Sequence, residues 1–145
     1  MRDLPRQLST DQLAELFEDG TRLVAHLAEI EDPLERADEV IATLSEEEKV
    51  EALNAHPAIG AKRLSPRSTE EQGSDADPAI LSELAYLNQV YEEKFGFRFV
   101  VFVDRRPRAE ILSVLRERFQ HSREEELGIG LDELVAIALD RWQSR

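Results

Sequence analysis

Apolar residues recur at intervals of three and four along most of the chain, a period that predicts helices. Leu13, Leu16, Phe17, Leu23, Val24 and Leu27 share one face, so a first helix is expected over about residues 10–27, opened by Ser9 and Gln12 in capping-box spacing. Asp32-Pro33 reads as an N-cap followed by a proline in the first helical position, opening a helix with Leu34, Ala37, Val40, Ile41 and Leu44. Ser45 and Glu48 form a second capping box, ahead of Val50 and Leu53.

Residues 56–76 break the pattern, with two prolines, two glycines and little apolar periodicity. Long irregular stretches in compact domains often carry function. Asp77-Pro78 restarts a helix bearing Leu81, Leu84, Tyr91 and Phe95, and Gly96 stands where a C-terminal cap glycine belongs. FRFVVFV at 97–103 has the β-branched and aromatic content of a strand, yet the chain offers it no partner. A lone strand cannot satisfy its backbone in a sheet, so the run is expected as a buried extended segment or as part of a helix. Pro107 begins a helix with Ile111, Leu112, Leu115 and Phe119 on one face, and Ser122 with Glu125 opens a last helix with Leu127, Leu131, Leu134, Val135, Ala138 and Trp142, its first turns weakened by Gly128 and Gly130. The expectation is an all-α, single-domain helical bundle of about seven or more helices spanning residues 1–145.

Composition narrows the function. The absence of cysteine removes disulfide frameworks, thiolate metal sites and cysteine nucleophiles. A formal net charge of −13 argues against binding to nucleic acid or to anionic membranes, both of which need a positive surface. No apolar run approaches the ~20 residues of a membrane span, and MRDLPRQLST lacks the apolar stretch of a signal peptide, so a cytoplasmic location is expected.

Few residues stand out chemically. His56 opens the irregular stretch just after a helix: it is either a general acid/base or a histidine favoured by the helix C-terminal dipole. Ser68, Glu71 and Gln72 follow, although Ser68-x-x-Glu71 could be a cap alone. Arg118 falls at about −20° on a helical wheel from Ile111, inside the stripe of Leu115 and Phe119. An arginine there needs a partner, either one of the chain's carboxylates or an anionic ligand that fits the guanidinium fork. Lys62, Arg63 and Arg67 form a local basic patch in an acidic chain. Phosphate-loop, dinucleotide and zincin motifs are absent, and the histidines at 26, 56 and 121 do not suggest a metal cluster.

HPAIG at 56–60, STEEQ at 68–72, LNQVYEEKFGFRF at 87–99, and Glu110-Ile111-Leu112 with Leu115 and Arg118 occur in order. Over about residues 45–142 the chain resembles the 2-oxo-4-hydroxy-4-carboxy-5-ureidoimidazoline (OHCU) decarboxylase family. The resemblance implies an all-helical fold, no metal or organic cofactor, a homodimer, and decarboxylation of the anionic substrate OHCU to (S)-allantoin in urate degradation. Carried over by residue, it implies His56 and Glu71 as catalytic groups and Ser68 and Arg118 as substrate contacts. It adds Pro57 and Gln72 beside them, and a pocket wall from the segment holding Phe97, Phe99 and Val100. The chain departs from the pattern in a short 57–67 loop, in His121 where an asparagine is expected, and in an N-terminal third without the usual tryptophan-bearing segment. Two other readings use the same scaffold: a decarboxylase for another ureido or hydantoin-like acid, and a non-catalytic ligand-binding or interaction module.

Overall fold

Helices begin in this chain where a side chain can take the first free amides. The computed structural model describes residues 3–57 and 77–144. Among them are seven α-helices and no strand: α1 (Thr10–Phe17), α2 (Arg22–Ala28), α3 (Ala37–Thr43), α4 (Glu46–Asn54), α5 (Pro78–Phe95), α6 (Arg108–Arg118) and α7 (Arg123–Gln143). Full capping boxes form at Ser9/Gln12, Ser45/Glu48 and Ser122/Glu125, as their spacing predicts. Asp77 caps α5 through the Ala79 amide with Pro78 in the first turn, and Gly96 ends it in the left-handed region at φ 82°.

Two expectations fail at helix ends. The single helix over residues 10–27 is two helices, α1 and α2, parted at Glu18, whose φ is 81°. Thr21 restarts the chain by accepting from the Val24 amide. The carbonyls freed at the end of α1 are taken from across the fold: Arg141 Nη1 donates to those of Glu15 (3.3 Å) and Leu16 (3.2 Å). The second failure is at Asp32-Pro33, where the spacing predicts a cap but Asp32 sits at φ 53° with its amide tied to the Arg6 carbonyl (2.7 Å). A left-handed residue cannot be an N-cap of extended geometry, and α3 starts only at Ala37.

The longest helix, α7, organises the core. It packs on α1, α3 and α4, while α5 packs on α6. Leu127, Leu131, Leu134, Val135 and Ala138 are buried along it, facing buried residues such as Leu13, Leu16, Ile41 and Leu53 from the other helices. Helix α7 runs unbroken through Gly128 and Gly130, and at Gly130 an added Cβ would lie 3.2 Å from Leu53 Cδ2, so the missing side chain allows α4 to approach. Trp142 Nε1 donates to the Asp3 carbonyl (2.9 Å), fastening the start of the described chain to the end of α7.

The FRFVVFV run is a buried extended segment without a strand partner. Phe97, Phe99, Val100, Val101 and Val103 are all buried. Side chains replace the missing ladder: Asn54 Oδ1 accepts from the Arg98 amide (2.9 Å), Arg118 Nη1 donates to the Val100 carbonyl (2.7 Å), and Arg106 donates to the carbonyls of Phe102 (2.5 Å) and Val103 (3.0 Å). This is how a lone extended stretch meets the requirement that buried backbone groups be paired.

Candidate active site

His56 leaves the end of α4 with its amide bonded to the Leu53 carbonyl (3.1 Å). Its side chain is turned inward. The residue is buried, and Nε2 has no hydrogen-bond partner among the described residues. Burial, with Arg141 and Arg98 adding to it against the opposing effect of Glu18, pushes the imidazole down to about 4. With its pKa down at about 4, the ring is neutral at pH 7.

Arg98 holds His56 against the extended segment. Its Nη1 donates to the carbonyls of His56 (2.6 Å) and Asn54 (3.2 Å), and its Nε pairs with Glu92 (3.1 Å). The α4 end and the Phe97–Val100 stretch are thus one unit. At the other end of that stretch stands Arg118, on the buried face of α6 as the wheel predicts. Its guanidinium stacks over the Phe99 ring at 4.6 Å, Nη1 takes the Val100 carbonyl, and Nε donates to Glu126 Oε1 (2.8 Å).

Nη2 of Arg118 is buried and has no hydrogen-bond partner among the described residues. The expectation of a carboxylate partner is met at the Nε edge by Glu126, and the Nη2 edge is left open among the described residues. A Cβ added at Gly130 would lie 3.9 Å from Arg118 Nη2, on the α7 face that also meets Leu53. An unpaired buried donor costs about 1–3 kcal/mol, which a bound anion would recover.

Glu126 is fully buried and carries three bonds: Tyr91 OH (2.5 Å) and Arg118 Nε on Oε1, and His121 Nδ1 (2.7 Å) on Oε2. Burial, followed by the bond to Glu126, pushes the Tyr91 hydroxyl up, so it stays a donor. Tyr91 also sits amid Phe95, Phe97, Phe99 and Phe119. Sequence reasoning missed Glu126, Tyr91, Arg98 and the Arg141–Glu18 pair (2.7 Å). A signal existed: Glu126, Gly130, Leu134, Ile137 and Arg141 form one stripe of α7 at three- and four-residue steps, all of them buried.

Arg98, in the segment that holds Phe97, Phe99 and Val100, bonds the His56 carbonyl, and Arg118 bonds the Val100 carbonyl of the same segment, while Pro57 is half-buried next to His56. Ser68, Glu71 and Gln72, and the basic residues Lys62, Arg63 and Arg67, lie outside the described residues. Among the described residues no group of three His, Asp or Glu is placed to hold a metal ion, and no helix is long and apolar enough to cross a membrane. A groove of about 500 Å³ between α3, α4 and α7, lined by Ile41, Lys49 and Leu127 among others, contains neither His56 nor Arg118.

A family model described as OHCU decarboxylase matches residues 3–143. The chain belongs to the OHCU decarboxylase family. An OHCU decarboxylase of Haloferax volcanii is 31% identical over 148 residues, covering 93% of this chain and 87% of that protein. A uric acid degradation bifunctional protein of Bacillus sp. strain TB-90 is 32% identical over 110 residues, covering 72% of this chain but only 22% of that protein. The chain thus spans about a fifth of that longer relative. A crystal structure of an OHCU decarboxylase in the presence of (S)-allantoin superimposes with a TM-score of 0.76 at 24% identity, over 90% of this chain and 94% of that one. That likeness bears on the fold, which is all-α in this chain.

Proposed function

We propose that this chain, acting as a single domain over residues 1–145, decarboxylates OHCU to (S)-allantoin in urate degradation, without a cofactor. The observation that carries the reading is the pair of buried open atoms, His56 Nε2 and Arg118 Nη2, on the two ends of one braced segment. A purely structural histidine and arginine at such depth would have their polar atoms paired.

The reaction breaks the bond between the ring carbon and the carboxylate. Carbon dioxide leaves, the electron pair stays on the ring carbon, and a proton is then delivered to one face. A catalyst must hold the ring, shield the leaving carboxylate from water and stabilise the developing charge. In this reading Arg118 binds a polar, anionic part of the substrate through Nη2, already oriented by Glu126 and Val100. Neutral His56 lies near the leaving carboxylate. An uncharged imidazole does not hold that carboxylate as an ion pair, which would oppose the loss of its charge. Phe97, Phe99, Val100 and Pro57 form the less polar wall, supported by the burial of the first three. Ser68, Glu71 and Gln72 complete the set on the strength of the STEEQ motif, with Glu71 sharing proton handling with His56.

A cytoplasmic homodimer is part of the proposal. Sedimentation equilibrium should then give twice the chain mass of 16.6 kDa. Activity is tested by generating OHCU from urate with urate oxidase and hydroxyisourate hydrolase and adding this protein last. Rapid OHCU loss with build-up of optically active (S)-allantoin is expected. Decay at the uncatalysed rate to racemic product, with the protein folded, would reject it.

A further inference from the structure

Arg118 is connected to solvent by a short chain of polar groups. His121, with one third of its side chain exposed, places Nδ1 2.7 Å from Glu126 Oε2, and the other oxygen of that buried carboxylate holds Arg118 Nε at 2.8 Å. A half-buried imidazole thus sits two contacts from the Arg118 guanidinium and its open Nη2 atom.

The charged and titratable groups around His121 and its partner Glu126 come from three helices. From α7 they are Glu126 and Glu125, the latter pulled down by its bonds to Ser122. From α6 there is Arg118, through Glu126. From α5 there are Tyr91, bonded to Glu126, and Lys94, whose Nζ donates to the Phe119 carbonyl (2.6 Å). Tyr91 is pushed up and Glu125 down, away from neutrality, whereas imidazole as a class gains and loses its proton between about pH 5 and 8.

We infer that His121 acts through Glu126 as a positioning residue for Arg118, so that an anion binding at Arg118 takes up a proton at His121. With the imidazole neutral, the Glu126 charge is directed mainly at Arg118 and offsets the guanidinium. With the imidazole protonated, that carboxylate is shared between two cations, and Nη2 attracts an anion more strongly. Linkage makes this reciprocal: if protonation tightens anion binding, the bound anion strengthens the hold of His121 on its proton. Affinity for an anion therefore rises as pH falls through the imidazole range. The inference rests on Arg118 as the anion anchor of the proposed function.

Hydantoate, a stable ureido carboxylate, serves as the probe. Its binding is measured calorimetrically from about pH 5.5 to about pH 8.5, the range in which imidazole titrates, in buffers of different ionisation enthalpy. Wild-type protein should bind about fivefold tighter at the acid end, at the low end of coupling between sites, and take up a fraction of a proton. In His121→Asn the amide can still donate to Glu126 but cannot titrate, so binding should persist with a flat pH dependence and no uptake. Equal pH profiles for the two proteins, no proton uptake by the wild type, or no hydantoate binding would each overturn the inference. OHCU turnover is assayed separately. Turnover without proton-linked binding rejects only the inference, and proton-linked binding without turnover rejects only the decarboxylase reading.

Discussion

Among the described residues two arginines are buried, and they differ in whether one edge of the guanidinium is left open. Arg141 and Arg118 are each almost fully buried, each paired with a carboxylate and each bonded to backbone carbonyls. Arg141 spends Nη1 on the end of α1 and Nη2 on Glu18, and so closes the α1–α2 break. Arg118 spends Nε and Nη1 in the same way but leaves Nη2 open. That open edge, more than burial or charge, is what the proposed function uses.

The largest effect should come from removing the supporting arginine. Arg141→Met removes the guanidinium that pairs with Glu18 and leaves two α1 carbonyls unmet, so unfolding in urea should show a loss of about 3–5 kcal/mol. Arg118→Lys should act on turnover. It keeps a positive charge near Glu126 but lacks the planar fork, and kcat/KM for OHCU should fall about 100-fold, or about 2.7 kcal/mol, among the molecules that stay folded. The comparison breaks if the first variant loses turnover while remaining stable, or if the second unfolds while its folded fraction stays active.

The next effect is set by pH. The folded-state pKa of His56 is depressed to about 4, so the unfolded chain binds the extra proton first as pH falls below about 6.5. Stability from this group is complete above about pH 6.5 and is lost toward pH 4. At pH 5 that loss is about 2 kcal/mol, and the stability of His56→Asn, compared by denaturant titration at pH 7.5 and pH 5, should lack it. The smallest effect is expected at Thr21→Ala, which removes the α2 cap beside the α1–α2 break. It should cost about 1 kcal/mol by thermal melting and leave OHCU turnover intact.

The pattern of apolar positions made most of the helices legible, because the three capping boxes and Asp77-Pro78 are local signals that the fold honours. It failed where distant groups decide. Asp19-Gly20 and the Thr21 cap mark the end of α1 locally, but the apolar period runs across them, and nothing local shows that Arg141, more than a hundred residues away, takes the α1 carbonyls. Nor could FRFVVFV reveal that Asn54, Arg106 and Arg118 would serve its backbone. Within the site, Arg118 was legible from its place on an apolar face. Glu126 was not, because it stands in an acidic first turn where carboxylates are usually solvated. The buried stripe of α7 that carries both Glu126 and Arg141 is the pattern that would have found them.

The most direct test is a crystal structure of this protein with (S)-allantoin bound. The account predicts ligand polar atoms within about 3 Å of both His56 Nε2 and Arg118 Nη2, with the ring against Phe97, Phe99 and Val100. Product seated elsewhere, such as the groove of α3, α4 and α7, with water alone on those two atoms, would contradict it.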